Sequence, residues 1–102
     1  MKPTIVCLCG STRFMDAFIK AQRDETLAGK IVLSVGLFGH NEGLDMNGPT
    51  KQMLDQLHLR KIDLANEVLV LNVDGYVGTS TRREIEYATN TGKHIRYLEP
   101  IS

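Results

Sequence analysis

Apolar runs rich in β-branched residues alternate along this chain with segments whose apolar residues recur every three or four positions. Short apolar runs bounded by turn residues are typical of buried strands, and we place four strands at 4–9, 31–35, 67–73 and 94–98. The intervening periodic segments predict three amphipathic helices, at about 14–28, 50–65 and 81–91. The chain therefore alternates strands and helices from end to end.

A strict β-α-β-α-β-α-β order predicts one α/β domain over residues 1–102, with right-handed crossovers and helices on both faces of a parallel sheet. We expect a flavodoxin-like or Rossmann-like three-layer sandwich of four to five strands, in the order 2-1-3-4. The switch point of that order lies between strands one and three. Since open α/β sheets bind ligands there, the loops after these two strands are the first place to look for a site.

Both of these loops are rich in glycine and hydroxyl groups. Strand one is followed by Gly10-Ser11-Thr12-Arg13, and strand three by a segment that includes Gly75, Tyr76, Gly78 and Ser80. Each loop opens a predicted helix, whose free backbone N–H groups attract an anion. Neither loop contains the Gly-Lys-Ser or Gly-Lys-Thr of a P-loop, and the first lacks the three-glycine dinucleotide fingerprint. The loops predict a phosphate cradle of another kind.

The net charge of the chain and its hydropathy indicate which kinds of partner it binds. Twelve basic and twelve acidic residues give a formal net charge of zero, which argues against a nucleic acid polymer or an anionic membrane as the partner. The first residues lack the pattern of a signal peptide, and no apolar run approaches the roughly 20 residues needed to span a bilayer. We expect a cytoplasmic protein that binds a small molecule.

Two cysteines, Cys7 and Cys9, occupy alternate positions of strand one and would face the same side of the sheet. Such neighbours are poorly placed for an unstrained disulfide, and two thiols alone make an incomplete zinc site. We interpret them as small buried hydrophobic residues, with a reactive Cys9 beside the following loop as the alternative. Residues 36–49, with four glycines, predict a lid or rim in which His40 is a candidate ligand contact.

Three motifs together resemble the nucleoside 2-deoxyribosyltransferase superfamily, which includes deoxynucleoside-monophosphate N-glycosidases. They are Cys9-Gly10-Ser11-Thr12-Arg13, Gly75-Tyr76-Val77-Gly78 and Glu84-Ile85-Glu86-Tyr87-Ala88, and they span nearly the whole chain. The resemblance implies cleavage or transfer of the N-glycosidic bond of a nucleoside or its 5′-monophosphate, with Glu84 as nucleophile. It further implies that Gly10, Ser11 and Arg13 contact the sugar or phosphate, that Ser80 binds the phosphate, and that the protein forms a homodimer or larger homo-oligomer. It implies no metal or cofactor.

The leaving base needs a proton from a second group, and here the chain departs from the superfamily. An aspartate of the family is replaced by His58 in our alignment, while Asp55 and Asp63 lie nearby on the same predicted helix. We therefore keep His58 and Asp63 as candidates beside Glu84. Tyr76 and Tyr87 are candidates for the wall of a nucleobase pocket, because an aromatic ring offers stacking area.

Glu84 also has a purely structural interpretation. Thr81-x-x-Glu84 matches a capping box, in which the glutamate only satisfies a backbone N–H at the start of a helix. In that case the same fold would bind or sense a nucleotide without turnover. The position of Glu84 relative to the first turn of its helix distinguishes the two interpretations.

Overall fold

A computed structural model describes residues 2–38 and 47–101 of the chain. In chain order its elements are β1 (Ile5–Cys9), α1 (Met15–Leu27), β2 (Ile31–Leu33), α2 (Pro49–Leu64), β3 (Glu67–Val70), a 3-10 turn (Val73–Gly75), α3 (Thr79–Asn90) and β4 (His94–Tyr97). The alternation of strands and helices predicted from the sequence is confirmed. His40 lies outside the described residues.

The four strands form one parallel sheet in the order β2-β1-β3-β4. The register pairs Ile5 with Ile31 at the β2 edge, Cys9 with Val70 in the centre, and Val70 with Tyr97 at the β4 edge. The predicted order and the three-layer α/β architecture are therefore confirmed, with four strands. As expected, β1 and β3 are neighbours, so their following loops leave the sheet side by side.

Helices cover both faces of the sheet, and each face has its own core. On one face, Val6, Leu8, Leu69 and Leu71 pack against Phe18 and Ala21 of α1. On the other face, the buried residues come from β1, β3, the end of α2 and α3: Cys7, Cys9, Val68, Val70, Ile62, Ala65 and Ala88. Period-two alternation along β1 thus places both cysteines on the face covered by α2 and α3.

Two element boundaries differ from the sequence prediction near the β3 loop. The third strand ends at Val70, because the Asn72 side chain donates to the carbonyl of Glu99 and accepts from its N–H, after which the chain turns. The turn carries Asp74 at a φ of 54° and Gly75 at 79°. Helix α3 then begins at Thr79, two residues before the predicted start, with Gly78 as its N-cap.

No helix within residues 2–38 and 47–101 combines the length and hydropathy needed to cross a membrane.

Candidate functional site

A cavity of about 720 Å³ lies where the loops after β1 and β3 meet the helices α2 and α3. Its volume falls in the range of small-molecule sites. The described residues that line it are Gly10, Ser11, Thr12, Val35, Gly36, Leu37, Asn47, Lys51, Leu54, Asp55, Leu57, His58, Lys61, Tyr76, Gly78, Thr79, Ser80, Thr81 and Glu84. The two hydroxyl-rich loops predicted to meet at the switch point thus line the same cavity.

Gly10 allows the two strands to approach each other closely at the base of the cavity. A Cβ atom at this position would lie 3.1 Å from the Cβ of Leu71 and 3.2 Å from its carbonyl oxygen. Leu71 is held in place because its N–H donates to the Cys9 carbonyl at 2.8 Å. A side chain at position 10 would therefore crowd Leu71. Glycine lets the β1 loop, which carries Ser11 and Thr12, lie close to the residues that follow β3.

Tyr76 forms one wall of the cavity and is anchored at the rim. The Arg13 guanidinium lies 4.6 Å from the centre of its ring and also donates to its hydroxyl at 3.4 Å, while Phe14 packs edge-on against it. A Cβ at Gly78 would lie 3.0 Å from the Tyr76 hydroxyl. Arg13 thus contacts the wall of the site from outside, and Gly78 leaves room for the ring.

The amino terminus of α3 opens into this cavity beside a lysine from α2. No side chain of the described residues caps the terminus, which leaves the N–H groups of its first turn without a capping partner, and Gly78 to Thr81 line the cavity. The Lys51 ammonium lies 3.2 Å from the Ser80 hydroxyl and 3.2 Å from the Asp55 carboxylate. Free N–H groups, a hydroxyl and an ammonium are the donors that proteins use to hold a phosphate.

Glu84 lies in the second turn of α3, with its side chain only 14% exposed. It is six positions beyond the N-cap Gly78, too far to accept a capping hydrogen bond, and the capping-box interpretation is wrong. Its Oε1 instead faces the Nε2 of His58 at 3.8 Å. Glu84 is a nearly buried carboxylate in the wall of a cavity, and its main polar neighbours come from β1 and α2.

His58 connects Glu84 to the two cysteines of β1. Its imidazole is buried, and Nε2 lies 3.3 Å from Cys9 Sγ and 3.6 Å from Cys7 Sγ. Both thiols are completely buried and form no disulfide. The two cysteines are therefore part of a polar cluster below the cavity floor, which sequence patterning alone had classed with the apolar core.

Packing these groups together shifts the pKa values of Glu84, His58 and Cys9. Burial raises the pKa of Glu84, while the neighbouring imidazole opposes that rise. Burial would lower the pKa of His58, but the hydrogen bond with Cys7 and the charge of Glu84 outweigh it and raise the pKa. Hydrogen bonding to Cys7, together with burial, raises the pKa of Cys9 well above its ordinary value. A protonated His58 therefore favours an ionised Glu84, and Cys9 is a thiol rather than a reactive thiolate.

Several residues predicted for the site lie elsewhere. Tyr87 and Asp63 are on the outer side of α3 and α2, where the Tyr87 hydroxyl donates to Asp63 at 2.5 Å and accepts from Arg60 at 3.1 Å. Gly75 lies in the exposed turn after β3, where it adopts a positive φ of 79°. Tyr87 and Asp63 are not among the described residues that line the cavity, and their assignments to a base pocket and to proton transfer stay predictions.

Sequence analysis missed a polar stripe on α2 that lines the cavity. Lys51, Asp55, His58 and Lys61 follow one another at intervals of three or four residues and so share one helix face. That spacing was readable in the sequence, but it resembles an ordinary solvated face. These residues line the cavity because α2 packs with this face toward the amino terminus of α3.

No protein-family model matches this chain, and a search of curated proteins found no match.

Proposed function

We propose that this protein binds a nucleoside 5′-monophosphate and cleaves or transfers its N-glycosidic bond, with Glu84 as the nucleophile. The observation that carries the proposal is the position of Glu84: a carboxylate 14% exposed, in the wall of a cavity of about 720 Å³, without a capping role. The resemblance of the Gly10, Gly75 and Glu84 segments to the nucleoside 2-deoxyribosyltransferase superfamily supports the same chemistry.

The proposed reaction begins with attack of the Glu84 carboxylate on the anomeric carbon. A bond forms between a carboxylate oxygen and that carbon, and the carbon–nitrogen bond breaks. The base leaves with the bonding electron pair and takes up a proton from solvent. Water, or a second base in a transfer reaction, then attacks the same carbon and releases the carboxylate. A nearly buried carboxylate suits this task because little water must be displaced from it.

His58 supports Glu84 through charge in this proposal. Its Nε2 faces the two sulfur atoms and Glu84 Oε1, all within 3.8 Å, rather than the open part of the cavity. An imidazolium at that distance stabilises the ionised carboxylate that attack requires. We therefore assign His58 as a positioning residue instead of the acid that protonates the leaving base.

The start of α3 suits the phosphate. Ser80, Lys51 and the N–H groups of the first turn of α3 meet there, and Ser11 lines the same cavity from the β1 loop. The exposed ring of Tyr76 in the cavity wall offers a surface on which the base can stack. The sugar would then lie beside Glu84, one helical turn from the phosphate at Ser80.

Release of free base from a panel of ribonucleoside and deoxyribonucleoside monophosphates, measured by chromatography, tests the proposal. We expect turnover on at least one member, and a loss of at least about 10³-fold in Glu84→Gln, as is typical when a nucleophile is removed. Glu86→Gln is the matched control, because Glu86 lies on the same helix but is exposed to solvent. It should retain the activity of the parent.

Thermal shift with the same nucleotides separates catalysis from binding. Stabilisation without any base release would favour a nucleotide-binding module of the same fold, which was the alternative left by the sequence. Equal turnover in Glu84→Gln and the parent would exclude the nucleophile assignment. Absence of both stabilisation and turnover would exclude nucleotides as ligands.

A further inference from the structure

We propose that Cys7, Cys9 and His58 form a binding site for one thiophilic divalent cation, with Zn²⁺ as the natural type. Two thiols and an imidazole are donors that zinc favours, and a site with three protein ligands keeps its fourth position open. The donor atoms of Cys7, Cys9 and His58 all lie within 4.8 Å of one another. The site shares His58 with the reaction proposed above, where a bound ion would replace the positive charge that the imidazolium places beside Glu84.

The separations within the cluster match the edges of a zinc tetrahedron. With Zn–S of about 2.3 Å and Zn–N of about 2.0–2.1 Å, a tetrahedral site places sulfur about 3.6 Å from nitrogen. The observed distances from His58 Nε2 are 3.3 Å to Cys9 Sγ and 3.6 Å to Cys7 Sγ. Glu84 Oε1 lies farther out, at 3.8 Å from the same nitrogen, where its charge would act on a bound ion from outside the three ligands. An ion could enter with small side-chain movements.

The polar atoms of this cluster crowd around one imidazole nitrogen. An imidazole nitrogen has either one hydrogen or one lone pair to offer, and here three polar atoms face the same Nε2. The surroundings are apolar, with Ile62, Val70 and Ala88 in the same core. A cation at the centre would give Cys7, Cys9 and His58 one common partner.

Access and charge are also suitable for an ion. His58 and Glu84 line the cavity, so an ion can reach the buried sulfur atoms from that side. Binding releases to solvent the protons held by Cys7, Cys9 and His58, and two thiolates, the neighbouring Glu84 carboxylate and a dication then carry one net negative charge. Lys61 is close enough to influence both Cys7 and His58 and would balance that charge.

Cobalt(II) is the probe of choice, because it replaces zinc in tetrahedral sites and is coloured. We expect titration of the full chain, kept reduced by a phosphine, to give a thiolate-to-cobalt charge-transfer band that saturates at one equivalent and is bleached by Zn²⁺. The sequence contains two cysteines, so the band itself shows that Cys7, Cys9 or both bind the ion. Absence of that band in the reduced parent protein would overturn the proposal.

Variants then test each ligand. Cys9→Ala and His58→Ala, checked for folding by circular dichroism, should lose the band at one equivalent. Glu84→Gln should weaken binding at least about tenfold, since removing even an outer partner of a metal ligand has that effect. His94→Ala is the control, because His94 is exposed on β4, and it should bind like the parent. Binding by Cys9→Ala equal to that of the parent would contradict the assignment.

Discussion

Glu84 owes its properties to residues on two other elements. Burial against α2 and β1 raises its pKa, and the imidazole of His58 counteracts part of that effect. From the sequence, Glu84 was equally compatible with a helix cap, because a Thr-x-x-Glu pattern says nothing about what covers the helix. The pKa of Glu84 therefore depends on residues that are distant in the sequence and become its neighbours only in the folded protein.

The two cysteines illustrate how far residue-level prediction extends. Alternation along a strand correctly placed Cys7 and Cys9 on one face. Their environment could not be inferred, because it depends on the register with which α2 brings His58 against β1. Tyr87 was a candidate by its motif and Asp63 by its place on the helix of His58, and the two hydrogen-bond to each other outside the cavity lining.

Lys51 is the residue with which the phosphate assignment can be tested. We expect Lys51→Met to reduce kcat/KM for a nucleoside 5′-monophosphate about 10–100-fold, since a charged hydrogen bond is worth about 1.5–3 kcal/mol. The corresponding nucleoside, which has no phosphate, should be affected little. Steady-state kinetics on both substrates give this ratio directly.

A suitable control for that experiment is Lys20→Met. Lys20 also pairs with an aspartate one helical turn away, Asp24 at 2.7 Å, but on the exposed surface of α1. Its replacement should leave both substrates unaffected. If Lys51→Met lowers activity on nucleoside and nucleotide equally, Lys51 does not bind the phosphate.

At the scale of elements, the start of α3 determines what Glu84 can do. The sequence placed the helix start at Thr81, whereas Gly78 is the N-cap and the helix begins at Thr79. Serine and threonine are preferred N-caps, so a threonine-rich run leaves several starts equally plausible. Because the helix begins at Thr79, Thr81 is not the N-cap and Glu84 lies beyond the first turn, and both line the cavity.

The junction between β1 and β3 gives a second element-scale prediction. Gly10→Ala should destabilise the fold by about 1–3 kcal/mol, because its Cβ would press against the side chain and the backbone oxygen of Leu71. Urea unfolding followed by circular dichroism measures the change. Gly36→Ala is the matched control, since an added Cβ there meets no atom of the described residues within 4 Å. Equal stability of Gly10→Ala and the parent would show that the strands can separate without penalty.

The whole molecule was the most predictable level. Alternating patterns and the handedness of crossovers restrict a seven-element α/β chain to few topologies, and the order β2-β1-β3-β4 is one of them.

A cluster of charged residues at the sheet, near the end of α1, was harder to predict from the sequence. Its four residues are Glu25 in the last turn of α1, Lys30 directly before β2, Glu67 on β3 and Arg96 on β4. Only the assembled sheet brings these four together.

This cluster connects β3 and β4 with α1 and with the residue before β2 through mutual ion pairs. Lys30 contacts Glu67 at 2.7 Å and Glu25 at 3.4 Å, while Arg96 contacts Glu67 at 3.1 Å and also pairs with Glu25. Partial burial would raise the pKa of Glu67, but the hydrogen bonds and charges of Lys30 and Arg96 outweigh it. The pKa therefore falls below its ordinary value of 4.5.

A lowered pKa makes the stability of the whole domain depend on pH in a defined direction. Because folding favours the ionised form of Glu67, its contribution is fully present above the unfolded pKa and is lost as pH falls through the lower folded pKa. We expect Glu67→Gln to be less stable than the parent at pH 7 by about 1 kcal/mol or more. The difference should shrink steadily below about pH 4.5, where the parent also becomes protonated.

Urea unfolding of both proteins between pH 7 and pH 3 measures this difference. Glu86→Gln removes an exposed carboxylate and serves as the control for a general change in charge. Since Glu25 shares the same two cations, it takes up part of their charge when Glu67 is removed, and the loss stays well below that of an isolated buried pair. A stability difference that is constant across this pH range would mean that Glu67 contributes through packing, with its charge playing no part.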